Sequence, residues 1–161
     1  MEMPETIRQG STGAAVREAQ YLLARDRYLT APEIDGVFGP HTNTAVRGFQ
    51  HDQGLGVDGI VGPQTWGKLL ATHAFPPPTL AEGSTGSVVE RLQQFLNNGR
   101  SDFDPGAAPL VVDGSYGPKT RAMVVAFQHW GGVPADGVVG LQTWAVGLHA
   151  AGQELGDLVG V

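Results

Sequence analysis

The chain lacks cysteine altogether, and this absence excludes several kinds of chemistry. None of its 161 residues is a cysteine, so disulfide bonds, thiolate metal sites and cysteine nucleophiles are excluded. No run of about 18 apolar residues occurs, so the sequence predicts no transmembrane helix. Residues 1–6 also lack the basic and apolar regions of a secretory signal peptide. We therefore expect synthesis in the cytoplasm without a Sec-type signal.

Charge is also scarce, and its balance is acidic. Charged residues make up 16% of the chain, and 10 Lys and Arg against 16 Asp and Glu give a net charge of -6. A protein that follows the phosphates of a nucleic acid needs a basic stripe, which this sequence does not contain. An anionic membrane surface is disfavoured for the same reason. The sequence predicts neither nucleic acid nor a membrane as a partner.

Glycine, by contrast, is abundant. The chain has 24 glycines and 11 prolines, while 41% of its residues are hydrophobic. That hydrophobic fraction is too high for a disordered chain, so the glycines are expected to serve turns. The composition indicates an acidic, turn-rich globular protein.

Most of the chain is one sequence unit written twice. The recurring segments are a Gly-Ser-Thr-Gly start, two Asp-Gly-x-x-Gly turns and a Gln-Thr-Trp segment: 10–13 and 83–86, 35–39 and 113–117, 58–62 and 136–140, 64–66 and 142–144. The duplication predicts two domains, at 1–72 and 80–148. A proline-rich linker at 73–79 joins them, and a tail at 149–161 follows. The three consecutive prolines of the linker favour a stiff, extended spacer.

Each copy is predicted to form three short helices. In the first helix, Val16, Ala19 and Leu23 form an apolar stripe at helical spacing. The second and third helices begin after Gly-x-x-Gly turns, and the third carries Trp66 in one copy and Trp144 with Leu148 in the other. The tryptophans lie on apolar stripes, so we expect them to pack in the core. The predicted fold class is all-α, with two small three-helix bundles in tandem.

The order of these motifs resembles the peptidoglycan-binding-domain-1-like family. The shared pattern is Gly-Ser-Thr-Gly-x-x-Val-x-x-x-Gln, then Asp-Gly-x-aromatic-Gly-Pro-x-Thr, Phe-Gln, and Asp-Gly-hydrophobic-Val-Gly-x-x-Thr-Trp. It occurs twice, over roughly 7–70 and 80–148, and covers most of the chain. The resemblance implies compact helical modules that bind bacterial cell-wall peptidoglycan. Such modules usually accompany a catalytic domain, and no separate segment of this sequence is long enough for one.

The resemblance also points to the first Asp-Gly turn of each copy as the ligand-binding region. A helix start offers free N–H groups to a carboxylate of the wall peptide. The predicted ligand-binding residues are Asp35, Gly36, Phe38, Gly39, Thr42, Asp113, Gly114, Tyr116, Gly117 and Thr120, with Trp130 as an exposed aromatic in a glycine-rich loop. The same residue types also suit a purely structural role, because a turn of this kind needs Asp, Gly and Thr by itself.

The sequence gives no positive sign of an enzyme. His51 with Asp58 and His129 with Asp136 share a spacing of seven, but no His-Glu-x-x-His motif or other third ligand accompanies them. No Ser-x-x-Lys nucleophile motif occurs. The turn aspartates are duplicated, which favours structure over an asymmetric acid and base pair. We therefore expect no metal, no cofactor and no catalysis.

Three functions remain open from the sequence. The first is a non-catalytic, bivalent peptidoglycan-binding protein, in which two weak modules gain affinity together. The second is a structural adaptor, such as a baseplate-type component of a phage tail or of a phage-tail-like contractile injection particle. The third is a targeting subunit for a separately encoded wall hydrolase. The second and third functions require a protein partner, which is a particle component or the wall hydrolase. The expected final site is the cell wall or an assembled particle.

Overall fold

The computed structural model describes residues 4–72, 76–148 and 153–154, with backbone alone for residues 72, 147, 148, 153 and 154. The chain divides into two compact units, unit 1 at Met1–Phe75 and unit 2 at Pro76–Val161. The predicted linker lies partly outside the described residues, at 73–75, as does most of the predicted tail. No described helix is both long and apolar enough to cross a bilayer.

Unit 1 is built from three helices: α1 (Ala14–Arg25), α2 (Pro40–Asp52) and α3 (Pro63–Thr72). A short 3-10 helix at Ala31–Glu33 lies between α1 and α2. Both α2 and α3 begin at a proline, whose fixed φ suits the first helical position and whose missing N–H removes no helical hydrogen bond. Trp66, Leu69 and Phe49 are fully buried between the helices, so the predicted core position of Trp66 is confirmed.

Unit 2 repeats this arrangement with α4 (Ser87–Phe103), α5 (Pro118–Gly131) and α6 (Leu141–Trp144). Trp144 is fully buried, as predicted. The all-α fold class is confirmed for the two bundles, although the last helix is much shorter than predicted. Leu148 does not continue α6 but belongs to a two-residue strand, β1 (Gly147–Leu148), which pairs antiparallel with β2 (Gln153–Glu154). Valine and glycine after Ala145 are poor helix formers, and the strand pairing satisfies the backbone instead.

In each unit, the extended segment before the first helix contacts both Asp-Gly-x-x-Gly turns. In unit 1, Ile7 and Val61 exchange backbone hydrogen bonds of 3.2 and 2.9 Å, and Thr12 forms a bridge with Val37. The indole Nε1 of Trp66 donates to the carbonyl of Glu5 at 2.9 Å. The extended segment thus holds the first and second turns of the unit against one another.

The equivalent contacts recur in unit 2. Leu80 and Val139 exchange backbone hydrogen bonds of 3.2 and 2.7 Å. Thr85 forms a bridge with Ser115, and Trp144 Nε1 donates to the carbonyl of Pro78 at 2.7 Å. The same tertiary framework therefore positions both turns in each unit.

Candidate functional site

A buried glutamine holds the first turn of unit 1 in place. Gln20 on α1 is 1% exposed, and its Nε2 donates to Asp35 Oδ1 at 3.1 Å, to the Val37 carbonyl at 3.0 Å and to Thr42 Oγ1 at 3.0 Å. Its Oε1 accepts the N–H of Gly36 at 2.9 Å. We call this arrangement the glutamine clamp. It satisfies a buried amide completely, which is the condition for burying a polar side chain without a large cost.

The glutamine clamp occurs four times in the chain. In each case the glutamine lies on the helix before the turn, and the turn supplies an aspartate, a glycine, a carbonyl two residues after the aspartate and a threonine. The other three sets are Gln50 with Asp58, Gly59, Ile60 and Thr65; Gln93 with Asp113, Gly114, Ser115 and Thr120; and Gln128 with Asp136, Gly137, Val138 and Thr143. Each unit therefore has a first and a second turn of the same construction.

The turn aspartates use one carboxylate oxygen for structure and leave the other to solvent. Oδ1 of each aspartate also accepts the backbone N–H two residues later at 2.9 Å. For Asp58 the N–H of Ile60, then the amide of Gln50, hold the pKa below its ordinary value. For Asp113 the N–H of Ser115, then Gln93, lower the pKa in the same way. These aspartates are exposed, and within the described part of the chain their Oδ2 atoms accept no hydrogen bond, so they can accept one from a ligand.

The turn glycine is required by the backbone in these positions. Gly36 has φ +79° and Gly114 has φ +73°, in the left-handed region that a residue with a Cβ adopts only with strain. Both glycines are buried under a side chain of the preceding helix. Their N–H groups point to the clamp glutamine, so the two predicted site residues shape the turn from inside.

Most of the predicted site residues lie inside the turn rather than on its surface. Phe38 and Tyr116 are 1% and 2% exposed, and Thr42 and Thr120 are buried within the clamps. The Tyr116 hydroxyl donates to the Gly137 carbonyl at 2.6 Å, joining the first and second turns of unit 2. Desolvation raises the pKa of Tyr116 well above its usual range.

The residues that remain accessible are the aspartates and the helix starts. Asp35 and Asp113 are exposed, while Gly39 and Gly117 are half-buried and precede α2 and α5. No side chain caps either helix start, which leaves N–H groups of the first turn without an intrahelical partner. Ligand contact by the eleven predicted residues stays a prediction.

Trp130 lies elsewhere than the sequence indicated. It belongs to α5 rather than to a loop, and it is half-buried. Its ring stacks against Phe127 at a centroid distance of 6.1 Å and lies 6.4 Å from Phe103. The glycine pair Gly131-Gly132 suggested that Trp130 lies in a loop. The pair instead forms the C-terminal end of α5, where Gly132 adopts the left-handed conformation.

The four clamp glutamines are the residues that sequence reasoning left without a role. They were visible as part of the duplicated pattern, because Gln20 matches Gln93 and Gln50 matches Gln128. The available signal was a polar residue recurring on an otherwise apolar helix face. Its partners are 15 to 22 residues away in the case of Gln20, so the contact itself follows only from the tertiary structure.

The comparisons with known proteins follow the same duplication. The family model described as "Putative peptidoglycan binding domain" matches residues 12–69 and 85–146, which is more than half of the chain. The chain belongs to the peptidoglycan-binding domain family. This match confirms the resemblance seen in the sequence. Each of the two peptidoglycan-binding domains contains one complete pair of clamped turns.

Several relatives carry similar domains. The chain is 31% identical to an N-acetylmuramoyl-L-alanine amidase of Bacillus licheniformis, over 86% of this chain and 44% of the relative. It is 44% identical to a spore cortex-lytic enzyme of Halalkalibacterium halodurans, over 73% of this chain and 31% of the relative. A solved structure of the SleB N-terminal domain is 39% identical over 42% of this chain and 90% of that one, with a TM-score of 0.40. The chain spans less than half the length of these curated relatives.

Proposed function

We propose that the protein binds peptidoglycan through both of its units and catalyses no reaction on it. The observation that carries the proposal is the presence of two complete peptidoglycan-binding domains with the same clamped turns. Within each first turn, the exposed Asp35 or Asp113 and the uncapped helix start form the surface offered to the wall polymer. The proposed place of action is the cell wall or a particle that reaches it.

The geometry of the turn aspartates supports a binding role. The turn aspartates are bound at Oδ1 by backbone and glutamine groups, which suits them to holding a shape. Among residues 4–72 and 76–148, no three histidine, aspartate or glutamate side chains are grouped as metal ligands. The relatives' names describe whole enzymes, and this chain aligns with less than half of each, so their activities are not carried over.

Two domains on one repeating polymer would bind more tightly than either domain alone. Once the first unit is bound, the second is held at a high local concentration, which can raise the overall affinity by about 10²–10⁴-fold. The net charge of -6 gives no bulk attraction to an anionic wall. Recognition is therefore expected to depend on hydrogen bonds and shape.

Co-sedimentation with sacculi freed of protein and teichoic acid tests the proposal. We compare the parent with a folded Asp35→Asn/Asp113→Asn double variant, because asparagine keeps the Oδ1 acceptor of the clamp while its NH2 group replaces the exposed Oδ2, which removes the charge and the acceptor offered to a ligand. Intact mass and peptide mapping exclude deamidation at the new Asn-Gly sequences. Saturable pelleting of the parent, reduced in the variant, is expected. Release of soluble wall fragments by the pure protein would contradict the non-catalytic part.

A second function, as an adaptor for a protein partner, is favoured by one feature of unit 2. Val111 and Val112 are 75% and 39% exposed in the segment between α4 and the first turn of unit 2. Asn97 fixes the start of this segment by donating to the Leu110 carbonyl at 2.9 Å and accepting the Leu110 N–H at 2.7 Å. A particle component or a separate wall hydrolase is the partner that this function requires. Failure of the folded parent to pellet at tens of micromolar would contradict wall binding and favour the adaptor, with Val111→Ser/Val112→Ser as the variant expected to lose the partner.

A further inference from the structure

In each first turn, one side chain of the preceding helix covers the buried glycine. In unit 1 this residue is Arg17, three positions before the clamp glutamine: a Cβ placed on Gly36 would lie 2.9 Å from Arg17 Nε. In unit 2 the equivalent residue is Glu90, and a Cβ on Gly114 would lie 3.2 Å from Glu90 Oε1. The same position on the same framework therefore carries opposite charges in the two units.

The second turns do not show this reversal. A Cβ on Gly59 would lie 2.8 Å from Asn43 Nδ2 and 3.2 Å from Arg47 Nε, and a Cβ on Gly137 would lie 2.8 Å from Nε of Arg121, seven positions before the clamp glutamine. Arg47 is held there by a hydrogen bond of 2.9 Å from its Nε to Asn43 Oδ1. Three of the four turns thus have a guanidinium over the glycine, and Glu90 is the exception.

Both covering residues of the first turns are free to meet a ligand. Arg17 and Glu90 are exposed, and neither side chain forms an ion pair or a side-chain hydrogen bond with any described residue. A guanidinium presents a planar set of donors that matches a carboxylate. A glutamate beside an aspartate repels a carboxylate instead, because like charges at an interface are costly.

We propose that this position decides which unit accepts an anionic group of the wall. Arg17 binds a carboxylate of the wall peptides at the first turn of unit 1, and Glu90 excludes carboxylates from the equivalent turn of unit 2. The inference rests on the proposed function, since it assumes that the first turns face the wall polymer. It assigns Arg17 and Glu90 as specificity-determining residues and makes the two domains unequal in the ligand group they accept.

A charge exchange between the two positions tests this assignment in the full chain. The variants are Arg17→Glu, Glu90→Arg and the double exchange, each checked for its helical spectrum and thermal unfolding. Arg17→Glu is expected to weaken pelleting with stripped sacculi about tenfold, the usual size of a lost charged hydrogen bond. Glu90→Arg is expected to strengthen pelleting, because it creates a second carboxylate site. The double exchange is expected to return to within about threefold of the parent, since it moves the site from unit 1 to unit 2.

Matched variants separate this effect from bulk charge. Arg17→Glu changes the net charge from -6 to -8, and so does Lys68→Glu on α3 of the same unit. Glu90→Arg changes the net charge from -6 to -4, as does Asp102→Arg near the far end of the same helix. The double exchange leaves the net charge at -6. Sacculi whose carboxyl groups have been amidated with carbodiimide and ammonium remove the proposed ligand group, and on them Arg17→Glu is expected to behave like the parent.

The outcomes separate the two levels of the proposal. A parent that pellets, with Arg17→Glu no weaker than Lys68→Glu, would overturn the role of Arg17 and leave wall binding intact. A double exchange that stays as weak as Arg17→Glu would overturn the equivalence of the two positions. A folded parent that does not pellet at all would reject wall binding itself, and this inference with it.

Discussion

The ends of the second helices differ in chemistry between the two units, although the packing beneath them is the same. In unit 1, the Tyr28 ring meets Phe49 edge-on at 5.7 Å, and its hydroxyl donates to Asp52 Oδ2 at 2.5 Å. In unit 2, the Phe103 ring meets the equivalent Phe127 in a similar edge geometry at 5.3 Å. The position of Asp52 is occupied there by Trp130. A polar pair in one unit thus replaces an aromatic cluster in the other.

The difference shows where the fold constrains chemistry and where it does not. The clamp glutamines are at most 1% exposed, so their hydrogen-bonding groups must be matched by the same partners in all four turns. At the end of the second helix the side chains are partly exposed, and water can satisfy a polar group there. The buried clamp positions carry glutamine in all four cases, whereas the partly exposed position at the end of the second helix carries an aspartate in unit 1 and a tryptophan in unit 2.

The largest effect is expected on removing a clamp glutamine. Gln20→Leu and Gln93→Leu each leave a buried glycine N–H and a buried threonine hydroxyl without a partner, and each is expected to cost about 2–4 kcal/mol of unfolding free energy. Urea unfolding gives the loss, and hydrogen exchange by mass spectrometry shows which unit opens. Gln94→Leu is the matched control, because Gln94 is exposed beside the buried Gln93. If Gln93→Leu were as stable as the control Gln94→Leu, the clamp of unit 2 would not contribute to stability. If only one of Gln20→Leu and Gln93→Leu lost stability, the two clamps would not be equivalent.

A smaller loss is expected at the aromatic cluster of unit 2. Trp130→Ala removes the stacking on Phe127 and the contact with Phe103, and about 1–2 kcal/mol of stability is expected to be lost from that unit. His129→Ala, at the exposed neighbouring position, should change stability little. The folded Trp130→Ala protein also tests the predicted ligand role of Trp130, since unchanged pelleting with sacculi would argue against it.

The polar pair of unit 1 is expected to act mainly on the ionisation of Tyr28. The hydrogen bond to Asp52, more than burial, raises the pKa of Tyr28 to about 12. Between the ordinary tyrosine value of about 10 and that value, the unfolded chain ionises first, so the contribution of the pair is lost as the pH rises. Asp52→Asn should bring the pKa of Tyr28 back towards 10 in an ultraviolet titration, with little change in stability at neutral pH because Asp52 is exposed to solvent. Asp26→Asn should shift the titration much less, because Asp26 raises the pKa of Tyr28 only through its charge, which is the smallest of the contributions.

The smallest expected difference between the two units is in their stability at acidic pH. In unit 1 the pKa values of three carboxyl groups are lowered: that of Glu33 by the Thr30 N–H, that of Asp52 by the Tyr28 hydroxyl and that of Asp58 by the Ile60 N–H. In unit 2 the Ser115 N–H lowers the pKa of Asp113.

A carboxyl group with a lowered pKa stabilises the folded state at neutral pH, and this contribution is lost as the pH falls through the lowered value, below about 4. Hydrogen exchange followed from about pH 5 to pH 3 should therefore show unit 1 losing protection before unit 2. Asp52→Asn removes one titrating group from unit 1 and should therefore reduce the difference between the pH values at which the two units lose protection. Simultaneous loss in both units would show that these carboxyl groups do not set acid stability.

Much of the fold could be read from the sequence because its signals are local. The Gly-x-x-Gly turns that end at residues 39, 62 and 117 predicted where α2, α3 and α5 begin, and the proline that follows each turn suits the first helical position. The duplication likewise predicted the two bundles. The short α6 was not predicted, because Trp144 and Leu148 have helical spacing while the pairing of β1 with β2 depends on residues that follow.

The candidate site could be located from the sequence, but its interior could not. The Asp-Gly turns were found as repeated motifs, and the exposed Asp35 and Asp113 are where a motif argument places them. That Phe38 and Tyr116 point inward, and that Trp130 stacks on Phe127, depends on packing between helices. A turn motif predicts a backbone conformation. It does not predict which side chains become buried against the neighbouring helices.

By itself the sequence determined the two-copy organisation, the helical class, the family and the positions of the turns, because these depend on residue spacing and on the conformations open to glycine and proline. The tertiary structure alone decided that a buried glutamine closes each of the four Asp-Gly turns and that Arg17 and Glu90 cover the glycines of the first turns. Hydrogen bonds across 15 or more residues need both partners in place, and only a packed helix brings its amide to a turn so far along the chain.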